Sequence, residues 1–332
     1  MTFIKITMIN PLMKKILVIG AGSWGTALAN TLAYNNTNVF LWTANQNVSE
    51  QINKTRTNKK YFKKIILHKN ITSLYGKIDP KFYSYIFYVL PAKAFEKFLK
   101  NYLINNQLNN FIICSKGLGE KGEFISELAK EKLRIKHLFI LSGPSFADEV
   151  ILNKPTALSL AGKNDHQIIG KIFLNTNLRL YYSSHIKTLE FLGILKNIYA
   201  LGAGIIDALN LGENAKASYL TRCLYEIKLA LKLKKLNQEQ LFSLGGVGDL
   251  FLTSNSTRSR NYTFGYKFIK NKSKKFEKKN TIEGLNSIFA INTNKGIYFN
   301  QLPILKTILN ILKGKNPKIE IEKLLKRKFK FE

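Results

Sequence analysis

No feature of this chain restricts its fold as much as Gly20-Ala-Gly-Ser-Trp-Gly25, set between the apolar run Ile16-Leu-Val-Ile19 and the small-residue run Thr26-Ala-Leu-Ala-Asn-Thr-Leu-Ala33. G-x-G-x-x-G alone matches many loops. Placed after a strand and before a helix, it reads as the first turn of a βαβ unit in a parallel sheet. Gly20 permits the tight turn, Gly22 lets backbone N–H groups reach a pyrophosphate, and Gly25 allows the helix to pack closely on the strand. The partial positive charge of the helix N-terminus then meets the phosphates, with Ser23 and Trp24 on the loop positions between. The expected ligand is a nicotinamide dinucleotide. An acid about 20 residues further on would select NAD through its ribose, but that stretch reads Trp42-Thr-Ala-Asn45. No arginine stands there for a 2′-phosphate either, although Lys54 and Arg56 follow. NAD and NADP both remain open.

A chain of 332 residues is more than one small core usually fills, so two domains are expected. Apolar runs at 16–19, 38–42, 85–90, 111–115, 138–142 and 156–161 alternate with helical patterns at 26–34, 95–102 and 124–132. Continuous rather than alternating apolar character marks strands buried on both faces of a parallel sheet. From about Thr188 the pattern changes. Leu189, Leu192, Leu195, Ile198 and Leu201 recur at helical spacing, and further helices are expected through 220–233, 284–299 and 303–312, with Pro303 suited to a first turn. The expected fold class is α/β, a doubly wound Rossmann-type dinucleotide-binding domain over 13–187 followed by an all-helical substrate-binding domain over 188–332.

Composition narrows the alternatives. Hydrophobic residues make up 45% of the chain, but runs such as 205–211 and 85–90 fall well short of the ~20 residues of a bilayer span, so no integral membrane segment is expected. Residues 1–12 lack a cleavage site, and Met13 directly precedes the first strand, so they read as a short extension or a misassigned start, without a function of their own. Cys114 and Cys223 cannot form a disulfide framework, and His68, His137, His166 and His185 stand apart, so no metal site and a reducing, cytoplasmic setting are expected. The net charge of +31 would by itself suggest nucleic acid or an anionic surface. The basic residues are scattered, nearly all Lys, and the densest run, 270–279, lacks interleaved aromatic platforms apart from Phe276, so no nucleic-acid partner is expected. A positive field would still attract an anionic substrate.

Five further segments combine glycine, lysine and small polar residues in ways a bland core would not need: Cys114-Ser-Lys-Gly-Leu-Gly119, Leu141-Ser-Gly-Pro-Ser-Phe-Ala147, Gly193-Ile-Leu-Lys-Asn197, Gly245-Gly-Val-Gly-Asp-Leu250 and Ser259-Arg-Asn261. With the glycine loop, they resemble the NAD(P)-dependent glycerol-3-phosphate dehydrogenases of the bacterial type. The match runs in order from Gly20 to about Glu283, nearly gap-free apart from a shortening around 270–280. Read from the residues, Lys116 follows a parallel strand, where such sheets present ligand-binding groups. Lys196 lies in an apolar helix, with Gly193 one turn earlier leaving room beside it. Burial or a neighbouring ammonium would lower its pKa toward the range useful for acid–base work.

The resemblance implies reversible reduction of dihydroxyacetone phosphate to sn-glycerol 3-phosphate for glycerophospholipid synthesis. It implies Lys196 as proton donor and Lys116 as the group that positions substrate and cofactor. Arg260 and Asn261 would grip the phosphate, with Arg260 also near the cofactor and Ser259 beside them. Asp249, either a helix cap or an acceptor for a substrate hydroxyl, takes the second role in the family. Gly143 and Ser145 become substrate contacts, Ala147 and Glu283 cofactor contacts. Two segments depart from the family: Ala92-Lys93 where Ser-His usually follows the proline, and Ala44 where many members carry a basic residue. A homodimer is compatible with this reading. The rivals are another two-domain hydroxyacid dehydrogenase, since fold does not fix substrate, and a basic nucleic-acid or membrane-surface binder.

Overall fold

The computed structural model describes residues 14–163, 166–293, 299–325 and 327; residues 1–12 of the expected extension lie outside these. Eight strands, β1 (Ile16–Ile19), β2 (Val39–Trp42), β3 (Ile71–Leu74), β4 (Tyr85–Tyr88), β5 (Gln107–Ile113), β6 (Arg134–Ser142), β7 (Thr156–Gly162) and β8 (Leu178–Ser183), form one sheet in the order β3-β2-β1-β4-β5-β6-β7-β8. The order reverses between β1 and β4, which opens a crevice beyond the carboxyl ends of the strands, and the Gly20 loop lies there. Helices α1 (Ser23–Ala33), α2 (Gln46–Thr55), α3 (Phe95–Tyr102), α4 (Ile125–Lys132), α5 (Ala147–Ile151) and α6 (His166–Gly170) connect the strands.

Two features depart from expectation. The strands β3 and β8 carry no strand signal in the sequence; they are the two edges of the sheet, half exposed and without a continuous apolar run. The strand β7 runs antiparallel to β6, with Phe139 opposite Gly162 and Ser142 opposite Ser159. Gly162 allows this pairing to seat an aromatic ring, since a Cβ there would stand 2.3 Å from Phe139 Cδ1.

After Ser183 the chain is helical: α7 (Ile186–Ala208), α8 (Glu213–Leu233), α9 (Asp249–Ser254), α10 (Arg260–Ile269), α11 (Ser273–Glu277), α12 (Glu283–Thr293), α13 (Pro303–Leu312) and α14 (Pro317–Leu325). The helix expected over 284–299 ends at Thr293, and 294–298 lie outside the described residues. By length and a mean hydropathy of 1.5, α7 could cross a bilayer, yet its apolar window is 100% buried inside the protein. It is the central rod of the second half, packed against α8, α9, α10 and α12 and touching α4, β6 and β7. A wide π-type turn, Leu244–Gly248, leads into α9. Glycine is required at 246 because a Cβ there would meet the Leu241 carbonyl at 2.1 Å, while Gly245 leaves the space that Leu189 Cδ1 fills.

Candidate active site

The glycine loop is built as its spacing demands. Gly20 has φ +119° and lies against the backbone of Val89 and Leu90, while a Cβ on Gly25 would fall 1.9 Å from the Gly20 carbonyl. Gly22 differs: nothing stands within 4 Å of the place a Cβ would take. The start of α1, with Ser23 and Trp24 in its first turn, therefore faces open space. That is the cradle a dinucleotide pyrophosphate needs, so the residues present fit the cofactor. Asn58, 0% exposed, locks the loop by donating from Nδ2 to the Ala21 carbonyl at 3.0 Å and to Thr26 Oγ1 at 2.9 Å. Sequence reasoning missed it, because its partners lie more than thirty residues away in a stretch that reads as a polar loop. At the end of β2, Asn45 spends its side chain capping α2 by accepting from the Val48 N–H at 3.1 Å, and Ala44 is exposed.

Four of the sequence motifs converge on one buried carboxylate. Asp249, 2% exposed, pairs through Oδ2 with Lys116 Nζ at 2.5 Å and through Oδ1 with Lys196 Nζ at 3.1 Å. Lys116 also donates to the Gly143 carbonyl at 3.0 Å, and Ser145 Oγ donates to that same carbonyl at 3.3 Å. Gly143 itself, at φ +150°, is pressed against Leu158. Lys196, 7% exposed, donates to Thr253 Oγ1 at 2.8 Å, and Thr253 in turn donates to Asp249 at 3.2 Å. Thr253 sits four residues after Asp249 on α9, the spacing that puts two side chains on one helix face. That spacing could have revealed it.

Burial disfavours the ammonium of Lys196 and, with Lys116 and Arg260 nearby, brings its pKa down to about 8 although Asp249 supports the charge. For Asp249, burial works against ionisation, but the two lysines outweigh it and hold the carboxyl below its usual range. The room left by Gly193 serves Lys116 and not Lys196. A Cβ there would lie 3.4 Å from Lys116 Cγ and 3.4 Å from Ser142 Oγ, because a residue three positions before Lys196 faces β6 and the segment after β5.

A second, amide-based chain ties the walls together. Asn197 Nδ2 donates to the Lys116 carbonyl at 3.0 Å, Asn261 Nδ2 donates to Asn197 Oδ1 at 2.8 Å, and the Gly284 N–H donates to Asn261 Oδ1 at 2.9 Å. Asn261 thus joins α7, α10 and α12. Ser259 caps α10 by accepting from the Tyr262 N–H at 3.2 Å, and Arg260 opens that helix, exposed and without an ion pair among the described residues. Glu283 lies against the glycine after Lys116, where a Cβ on Gly117 would meet its Oε2 at 2.3 Å. Burial raises the Glu283 pKa to about 7, against the pull of Arg260, the Ala92 N–H and Lys93. Ala147 begins α5 beside Ser145. The site therefore offers a glycine cradle for a dinucleotide, a buried Lys196 and a half-buried Lys116 clasped by one carboxylate, and a free guanidinium at a helix N-terminus.

Comparison with known proteins gives this geometry a family. Residues 15–168 match the model of the NAD-dependent glycerol-3-phosphate dehydrogenase N-terminus and residues 185–323 that of its C-terminus. The glycerol-3-phosphate dehydrogenase (NAD(P)+) of Staphylococcus carnosus is 36% identical over 266 residues, covering 77% of this chain and 79% of that protein. The enzyme of the same name from Staphylococcus epidermidis is 33% identical over 317 residues, covering 90% and 94%. The crystal structure of glycerol-3-phosphate dehydrogenase from Coxiella burnetii superposes with a TM-score of 0.84 at 28% identity, covering 96% of this chain and 100% of that one. With both family models in register along a chain that also builds the cradle and the lysine pair, the protein belongs to the NAD-dependent glycerol-3-phosphate dehydrogenase family.

Proposed function

We propose that this chain reduces dihydroxyacetone phosphate reversibly to sn-glycerol 3-phosphate with NADH or NADPH, feeding glycerophospholipid synthesis. The observation that carries the reading is Asp249 held between Lys116 and Lys196, the charge pattern that reduction of a phosphorylated ketone calls for. A bound nicotinamide dinucleotide supplies the hydride, and Gly20, Gly22, Ser23, Trp24, Gly25, Lys116, Ala147, Arg260 and Glu283 are the residues that would hold it. Lys196 keeps a proton on Nζ at a pKa of about 8, matched to donation onto an oxygen that gains negative charge. Asp249 supports the Lys196 ammonium against its burial and, through its second oxygen, aims Lys116 beside it. Lys116, fixed by the Gly143 carbonyl, orients the substrate beside Gly143 and Ser145. Arg260, with Ser259 and Asn261 beside it, takes the phosphate; its planar fork and the α10 N-terminus both favour a dianion.

A division into a dinucleotide-binding unit over 13–187 and a substrate unit over 188–332 belongs to this reading, supported by the change from strand to helix between Ser183 and Ile186. A cytoplasmic setting is supported by two free, buried thiols, Cys114 and Cys223. Absorbance at about 340 nm, where reduced nicotinamide absorbs, follows turnover with dihydroxyacetone phosphate and each reduced cofactor in turn. Arg260→Ala is expected to raise KM for the phosphorylated ketone by about tenfold or more while kcat changes far less. Absence of turnover with both cofactors, or an unchanged KM in the variant, overturns the reading or the phosphate role respectively.

A further inference from the structure

Two of the chain's seven arginines stand within three residues, at 258 and 260. In a sequence that writes 45 of its 52 basic residues as Lys, two arginines so close together single out this segment. Arg260 belongs to the site described above. Arg258 does not, and its geometry is more elaborate than an ordinary surface contact. Its Nη1 lies 2.7 Å from Glu149 Oε1 and 3.2 Å from Asp148 Oδ2, and its guanidinium carbon sits 4.4 Å from the centre of the Phe146 ring. Two carboxylates and a ring face therefore meet one guanidinium.

The partners matter more than the contact itself. Phe146, Asp148 and Glu149 surround Ala147 and directly follow Ser145, in the N-terminal α/β half. Arg258 directly precedes Ser259-Arg260-Asn261, in the helical half. The contact joins the segment proposed for the substrate and cofactor on one wall of the cleft to the segment proposed for the phosphate on the other. The backbone between the two walls runs through more than a hundred residues, so contacts across the cleft set their separation, the Lys116 bridge from the Gly143 carbonyl to Asp249 among buried groups and Arg258 at the exposed edge.

We propose that Arg258 is a positioning residue, a latch that holds the substrate-phosphate loop at the start of α10 against α5 and so sets how far the outer edge of the cleft opens between the two halves. The side chains of Arg258, Asp148 and Glu149 are 46%, 56% and 35% exposed, so the latch is solvated and reversible, able to open for substrate entry and reform over it. The proposal rests on the dehydrogenase reading for its effect on substrate but not for its geometry.

The test compares the full-length wild type with Arg258→Ala, Arg258→Lys, the double variant Asp148→Asn/Glu149→Gln, and the triple variant of that pair with Arg258→Ala. In the ligand-free protein, amide hydrogen exchange in 145–151 and 256–262 is expected to accelerate together in Arg258→Ala, with the rest of the chain unchanged. In the assay, KM for dihydroxyacetone phosphate rises about fivefold with kcat within about twofold, the triple variant is no worse than either parent, and Arg258→Lys falls between wild type and Arg258→Ala. Unchanged exchange overturns the proposal. So do acceleration confined to 256–262, acceleration across the whole chain, and additive KM effects in the triple variant. If the wild type fails to turn over dihydroxyacetone phosphate, the dehydrogenase reading falls, while the exchange arm still decides whether Arg258 latches the cleft.

Discussion

Lys196 carries a charge that its surroundings barely allow, with a pKa brought to about 8 by burial and sustained by Asp249. In the proposed reaction, reduction of the ketone needs this group protonated and oxidation of the alcohol needs it free. The reductive kcat should therefore fall, and the oxidative kcat rise, as pH climbs through about 8. Asp249→Asn removes the carboxylate that supports the ammonium, so the limb of the pH–rate profile should move below 8 and the reductive rate at neutral pH drop by about tenfold or more. A limb that stays in place would show that Asp249 does not govern the lysine. At this scale the sequence was informative about identity and poor about partnership. Lys116, Lys196 and Asp249 are each recognisable from a glycine-rich neighbourhood and a family likeness, but their common ion pair joins residues 133 positions apart. Spacing along one helix makes Gly193 look like space for Lys196; which element faces that helix is a tertiary fact.

Two helices begin without a side-chain cap of their own, and a buried glutamate from a different helix supplies it. The N-cap positions of α4 and α13 are Phe124 and Leu302. Glu190 on α7 instead accepts from the Ser126 N–H at 3.1 Å and from the Ser126 hydroxyl. Glu226 on α8 accepts from the Ile304 and Leu305 N–H groups, each at 2.7 Å, and from the Tyr199 hydroxyl at 3.1 Å. Burial raises both carboxyls to about 7 despite these donors. The folded protein then binds more protons than the unfolded chain between the ordinary carboxylate range and pH 7, so their contribution to stability is full at low pH and is lost as pH rises through about 7. Glu190→Gln keeps an acceptor but no titration. The drop in Tm between pH 5 and pH 8 should shrink by about 3 °C in that variant, and an unchanged drop in a thermal melt counts against the assignment. The central strands and most helices were legible because burial writes a continuous apolar run or a helical period. The edges β3 and β8 were not, since a strand exposed on one side alternates its residues and resembles a loop. Nor could an apolar run reveal that β7 is antiparallel: burial fixes which residues are apolar and leaves direction unspecified.

Across the whole molecule, a net charge of +31 surrounds a site built for a phosphorylated substrate and an anionic cofactor. Such a field raises the rate of encounter and is screened within a Debye length of about 10 Å at 0.1 M salt. Raising ionic strength from about 0.02 to 0.5 M should therefore lower kcat/KM for dihydroxyacetone phosphate several-fold, chiefly through KM; a flat response would mean that the lysines are spread too evenly to steer. The same lysine-rich surface makes α7 the more telling feature. Within one short span of it, Glu190 reaches α4, Lys196 reaches Asp249, Asn197 reaches Asn261 and the Lys116 carbonyl, and Tyr199 reaches Glu226. Turning the rod by a single residue, about 100°, would break all of these bonds at once and leave buried donors and acceptors unmatched. Its rotational phase is thus over-determined, like a shaft keyed to several gears. Substitutions on the outer shell have no lever with which to turn it, so the exterior can drift in composition while the proton-bearing nitrogen stays in place.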